Sequence, residues 1–384
     1  LGSDAGNGLI VERLQGGPEV LYEPHPESGV ICLAVSVEAG SCCETSITRG
    51  ISHFLEHMVF NGSERYTREE ISSWVDDVGA FLNAFTRKET TVYFLLVDTG
   101  QLEQGIEILS QMFLHSIFYP AELEKERNIV LEEIRQTMDN PVSERNRFVD
   151  RYLYRGSSLA EPVLGYPSTV ESITHSDIID FYKKHYEPSR MRVVVMGGFD
   201  VEKARGWLVD YFCSTGGCAK AVDRPSGYRA GAVPRWGNEI TVKGDERLTP
   251  GLDILIPMPS VGERDFPAAL LIANILGTNG SPLRSMFESV SLPDPEVSLE
   301  VHSKFSALRI HVGPCEGGQE PYYKVPSILE ALAGWKPTAG EIESARVSFV
   351  SSQIFDREKY HFYIMSEGER IGLFGARYIS ATIE

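Results

Sequence analysis

The chain has 384 residues, of which 42% are hydrophobic and 23% charged. That is a globular composition, and it excludes disorder and a fibrous repeat. Fifty-four acidic residues against 36 Lys and Arg leave a net charge of −18, which argues against nucleic acid as a partner, because phosphate binding needs clustered positive charge.

At roughly 100–200 residues per domain, two domains are expected. No run of about 18 uncharged apolar residues predicts a membrane span, so a soluble protein is expected. Leu1–Gly8 has no charged-then-apolar signal pattern. The compartment stays open between the cytoplasm and, after removal of a signal, the periplasm or exterior. The cysteines at 32, 42, 43, 213, 218 and 315 are scattered and read as small buried or half-buried residues rather than a disulfide framework.

In chain order, Leu9–Arg13 and Val20–Tyr22 flank Gly16–Gly17 as a hairpin-like pair of strands. Val30–Ala39, β-branched and apolar, predicts a strand in a sheet interior. Ile51–Phe60 changes to helical period. Arg68–Val78 predicts a second helix, with Thr67 as N-cap ahead of two glutamates. Strands follow at Ala80–Thr86 and Thr91–Val97, then helices at Gln101–Met112, Pro120–Met138, Asn146–Tyr154 and His175–His185. Met191–Gly197 reads as a buried strand and Val201–Phe212 as a closing helix.

Residues 214–237 are rich in Gly and Pro and read as a linker. The order then restarts. Strands are expected at Glu239–Val242, Gly251–Pro257, Val297–His302 and Ala307–Val312, and helices at Phe266–Leu276, Ser281–Ser289, Tyr322–Leu332, Ala339–Phe355 and Tyr360–Gly375. Tyr360–Tyr378 is aromatic-rich and reads as core. The element order of the second half repeats that of the first but stops before a final helix–strand–helix.

The expected fold is therefore α+β. It has two repeated units, each a mixed, mostly antiparallel sheet with helices packed on one face, and the second is incomplete. The expected domains are 1–213, carrying the chemistry, and 238–384, similar but without it.

The chemistry centres on His53-Phe54-Leu55-Glu56-His57. On a helix, residues four apart stack on one face, so two neutral imidazoles can fill two corners of a tetrahedral Zn²⁺ site. Glu56 lies about 60° from His53 at 100° per residue, on the side where a water would sit. Ile51, Phe54, Leu55, Met58 and Val59 form the opposite, apolar stripe, and Asn61-Gly62 ends the helix.

Catalytic zinc takes three protein ligands and leaves one position open. On Pro120–Met138, Glu126, Val130 and Glu133 share one stripe, and Glu132 points about 100° away from Glu133. Glu133 is the expected third ligand, and Glu126 a carboxylate that orients an imidazole from behind.

With these residues in view, the chain resembles the inverzincins through His53-x-x-Glu56-His57. Gly50–Ser63, Leu82–Phe94 and Glu126–Ile134 are similar to the pitrilysin/insulinase family of zinc peptidases. The resemblance implies one zinc on His53, His57 and Glu133, a general base on Glu56 and an acidic partner on Glu126. It also implies an edge strand at Asn83, Ala84, Phe85 and Thr86 that holds substrate peptide, and two or four units facing each other across a chamber. Family members carry an Arg and a Tyr seven apart in a late unit; here those positions fall on Val290 and Val297, which donate no side-chain hydrogen bond.

The expected function is a zinc-dependent endopeptidase acting on unfolded peptides or small proteins. A missing portion or a partner chain, in a homodimer or heterodimer, would close the site. The alternative is a non-catalytic or partner-dependent peptide-binding subunit of a processing-peptidase-like complex.

Overall fold

The structure, a computed structural model, describes residues 3–4, 8–213, 251–315 and 320–383. The expected linker and the strand expected at Glu239–Val242 lie outside the described residues. No helix among the described residues is long and apolar enough to cross a membrane.

The strands β1 (Ser3–Asp4), β2 (Ile10–Arg13), β3 (Glu19–Pro24) and β4 (Val30–Val37) lead into helices α1 (Ile51–Val59) and α2 (Arg68–Asp77). The hairpin β5 (Phe81–Thr86) and β6 (Thr91–Asp98) follows, then α3 (Leu102–Leu114), α4 (Pro120–Asp139), α5 (Pro141–Leu153), α6 (Pro167–Ser172) and α7 (His175–His185). Next come β7 (Met191–Gly197) and α8 (Val201–Phe212), and beyond the gap β8 (Leu252–Met258), α9 (Phe266–Gly277), α10 (Pro282–Glu288), β9 (Pro295–Val301) and β10 (Ser306–Val312). The chain closes with α11 (Val325–Gly334), α12 (Ala339–Arg357), α13 (Tyr360–Phe374) and α14 (Ala376–Ile383).

The described residues form two compact units. The first takes the chain up to Gln136, the segment from Gly156 to residue 213, and Lys359–Ala376. Its sheet runs β1-β2-β3-β7-β4-β6-β5. Only β3–β7 is parallel. β4, in the interior, is buried at seven of its eight residues, as its unbroken apolar run requires. Leu33, Val35, Tyr93, Leu95, Val193 and Val195 line one face and join the core that holds Phe54, Met58, Ile106, Leu109 and Phe113.

The second unit takes Thr137–Arg155, the segment ending at Glu358, and Arg377 onward. Its sheet is antiparallel, in the order β8-β10-β9. β10 alternates: Leu308, Ile310 and Val312 enter the core with Leu283 and Phe287, whereas Arg309 and His311 lie on the other face. Val297 pairs with Ile310.

Two segments depart from the contiguous division into 1–213 and 238–384. Helix α5 belongs to the second unit. Its Arg145 pairs with Asp253, which also takes Arg309, and Tyr154 beyond it donates to Glu300. Helix α13 belongs to the first unit and packs on β4 and β6. Gly368 and Gly372 permit that approach, since a Cβ on Gly372 would meet Ser36 Cβ at 2.9 Å. Arg192, buried on β7, donates to the Gly372 carbonyl and to Glu19. Tyr363, Ile364 and Ile371 are buried while Phe362 and Met365 are exposed, so one face of the late aromatic segment is core and the whole segment is not.

Candidate active site

Helix α1 is held at both ends. Gly50 enters it at φ 96°, a left-handed conformation natural to glycine. A Cβ there would stand 2.6 Å from the Leu164 carbonyl oxygen. The Glu44 carboxylate accepts from the Gly50 and Ser52 backbone N–H groups, each at 2.9 Å, and so satisfies two donors that a helix start leaves open. Burial pushes Glu44 up to about 7, against the pull of those hydrogen bonds. At the other end Asn61 Nδ2 donates back to the His57 carbonyl at 3.1 Å. The apolar stripe of α1 is fully buried, so the helix presents His53 and His57 from a rigid base.

Helix α4 brings Glu133 to the two imidazoles. Its carboxylate oxygen Oε2 lies 3.5 Å from His53 Nε2 and 3.6 Å from His57 Nε2. Ligand atoms of all three residues lie within 4.8 Å of one another. An ion bonded tetrahedrally at about 2.0–2.2 Å holds its ligand atoms roughly 3.4 Å apart. The donor set, two imidazoles and a carboxylate, therefore fits zinc in both chemistry and spacing. Burial and the neighbouring His57 lower His53 to about 4, which leaves it neutral near pH 7, as a ligand must be. Burial alone would lower His57 too, but hydrogen bonds to Glu126 and Glu133 outweigh it and raise His57 to about 9. Its proton is one that an entering cation would displace.

Glu56, nine-tenths buried, accepts from the Thr86 hydroxyl at 2.5 Å. Burial raises its pKa, and the Thr86 hydrogen bond lowers it again in part. Thr86 thus turns its side chain to Glu56. Asn83, Ala84 and Phe85 precede it on β5, which is the sheet edge among the described residues. His53, Glu56, His57, Glu126, Glu133 and Thr86 meet from α1, α4 and β5, all within the first unit, while Asn83, Ala84 and Phe85 are placed only by their strand.

Behind His57, Glu126 Oε2 lies 3.2 Å from Nδ1, and Glu126 Oε1 accepts from Arg68 Nη1 at 2.9 Å. The same Nη1 donates to Asn61 Oδ1 at 2.6 Å. Burial would raise Glu126, but its bonds to His57, Asn61 and Arg68 outweigh that and lower it. Sequence reasoning misses Arg68 and Glu44. Asn61, four residues after His57, carries a local signal for its bond to the His57 carbonyl; Arg68 meets Glu126 only through the fold.

Comparison with known proteins bears on family and fold. The sequence signature of the Insulinase family (peptidase family M16) matches residues 19–166, and that of the peptidase M16 inactive domain matches residues 172–291. The chain is 28% identical over 376 residues to the "uncharacterized zinc protease YmxG" of Bacillus subtilis, covering 94% of this chain and 87% of that one. It is also 28% identical to the mitochondrial-processing peptidase subunit beta of Homo sapiens, covering 69% of this chain and 53% of that one, so the match spans about half of that relative. In fold it is similar to a protease from Helicobacter pylori, with TM-score 0.80 at 19% identity, covering 97% of this chain and 91% of that one. The chain belongs to the insulinase, or M16, family of zinc peptidases.

Proposed function

We propose that the chain is a zinc-dependent endopeptidase. The carrying observation is the convergence of His53 Nε2, His57 Nε2 and Glu133 Oε2 at zinc-ligand spacing, with the Glu56 carboxylate one residue from His57. One zinc per chain is expected. Bound there, zinc supplies a Lewis acid that polarises a scissile carbonyl and makes a water acidic near neutral pH.

The chain's own residues do the rest. Thr86 holds Glu56 Oε2, so Oε1 is assigned to take the proton of the attacking water and hand it to the leaving amine. Burial makes Glu56 a stronger base than an exposed carboxylate. The β5 edge at Asn83–Thr86, where Asn83 Oδ1 accepts from the Ala84 N–H at 2.8 Å, would take an extended peptide by backbone pairing, which gives loose sequence preference and favours unfolded substrates. His57 is kept in one orientation by Glu126.

A second reading has its own support. Valines stand at positions 290 and 297, where an Arg and a Tyr are expected, so a further portion or partner chain would complete the site. One experiment decides both. Purified chain is assayed on unfolded peptides, with bound zinc measured, beside Glu56→Gln. Cleavage abolished in Glu56→Gln with zinc retained supports the peptidase. Cleavage at the wild-type rate in Glu56→Gln would refute Glu56 as base. Zinc bound without cleavage in the wild-type chain would favour completion by a partner.

A further inference from the structure

We propose that Arg68 is a positioning residue for the metal centre, setting zinc affinity by fixing the carboxylate that orients His57. The inference rests on the metal reading above. Arg68 is the first residue of α2, at a helix start fixed by a cap. Thr67 and Glu70 form a reciprocal capping box, with Thr67 N–H donating to Glu70 Oε2 at 2.8 Å and Glu70 N–H to Thr67 Oγ1 at 3.2 Å.

From that start the guanidinium reaches the turn after α1 and helix α4. Nη1 donates to Asn61 Oδ1 at 2.6 Å and to Glu126 Oε1 at 2.9 Å, with Glu122 Oε2 at 3.6 Å. Glu126 Oε2 meets His57 Nδ1 at 3.2 Å, and Asn61 Nδ2 donates to the His57 carbonyl at 3.1 Å. The bonds close a ring: His57 ring, Glu126, Arg68, Asn61, His57 backbone.

Geometry shows what the ring does. Glu126 is buried, and both its oxygens are engaged, one by Arg68 and one by His57. With Oε1 held, the carboxylate cannot rotate away, so Oε2 stays on Nδ1 and Nε2 stays aimed at Glu133. His53 Nδ1, by contrast, is buried with no hydrogen-bond partner among the described residues. The orientation of the imidazole pair is therefore enforced from the His57 side. A surface ion pair with Glu122 alone would be worth little; the short bond to Asn61 and the tie to a buried carboxylate are what distinguish Arg68.

Changes behind a metal-ligating histidine cost about 10–100-fold in metal affinity. Arg68 lies one bond further out than Glu126, so Arg68→Ala is expected near the lower end, about 10-fold weaker for zinc. The test is zinc affinity of the full chain, by competition with a chelating indicator, on Arg68→Ala, Arg68→Lys, Glu126→Gln, the Arg68→Ala/Glu126→Gln double variant and His57→Ala. Cobalt(II) absorption spectra on the same proteins report ligand geometry independently of activity.

Arg68→Ala should weaken zinc binding and shift the cobalt spectrum. Arg68→Lys, which keeps a cation for Glu126, should recover most of the loss. The double variant should bind no more weakly than Glu126→Gln, because Arg68 acts through Glu126. Zinc affinity of Arg68→Ala within about twofold of wild type, or full additivity in the double variant, overturns the inference. Unchanged zinc affinity in His57→Ala would instead overturn the metal reading itself. Should Arg68→Ala lose its folded circular dichroism spectrum, Arg68→Gln is read by the same criteria.

Discussion

Glu44 makes stability depend on pH in a way that one substitution should remove. The carboxylate is buried at the start of α1 and its pKa is raised to about 7 from an ordinary 4.5, chiefly by burial. An acid whose folded pKa lies above its unfolded one binds protons more tightly when folded. Its stabilising contribution is therefore complete below about pH 4.5 and is lost as pH rises through about 7. At 1.36 kcal/mol per unit, a rise of about 2.5 units is worth about 3 kcal/mol across that window.

Glu44→Gln has no charge to bury, and its amide oxygen can accept only part of what the carboxylate accepts from Gly50 and Ser52. At pH 4.5 it should be less stable than wild type by about 1 kcal/mol. By pH 7.5 that deficit should reverse, leaving the variant more stable than wild type by about 2 kcal/mol. The assay is urea unfolding of both proteins at half-unit steps from pH 4.5 to 7.5, reading the difference between them so that other carboxylates cancel. Parallel stability curves across this range would refute the argument.

Two further substitutions test the packing account. Gly50→Ala combines a φ of 96° with a Cβ 2.6 Å from the Leu164 carbonyl and 2.9 Å from Val170 Cγ2, so it should cost well over the 1–2 kcal/mol of the left-handed conformation alone. Gly79→Ala, at φ 64° with nothing within 4 Å of the added Cβ, should cost only about that much, and equal unfolding midpoints for the two variants would contradict the steric argument. In the second unit, Asp253→Asn takes from the buried Arg145 its carboxylate partner, while Arg309 keeps Glu300 and Asp150; about 3–5 kcal/mol should be lost through Arg145, read by denaturant unfolding, and a loss below about 1 kcal/mol would mean the network is solvated.

What was legible in the sequence was what local periodicity encodes. The four-residue spacing of His53 and His57 defines a helix face, and the stripe Glu126–Val130–Glu133 singles out Glu133 over Glu132; in the structure these residues meet. Thr67 was legible as a cap because a capping box spans only four residues. Arg68 and Glu44 were not, because their partners come from other turns of the fold. The exchange of α5 and α13 between the units was hidden for the same reason: a buried pair such as Arg145–Asp253, 108 residues apart, leaves no periodic trace. Helix α6, six residues long, is too short for an apolar stripe to declare itself.

The measurement that bears most directly on the account is anomalous diffraction at the zinc edge from crystals of the zinc-loaded chain. One peak per chain is predicted, about 2.0–2.2 Å from His53 Nε2, His57 Nε2 and a Glu133 carboxylate oxygen. Zinc bound elsewhere, with these three residues unengaged, would contradict it.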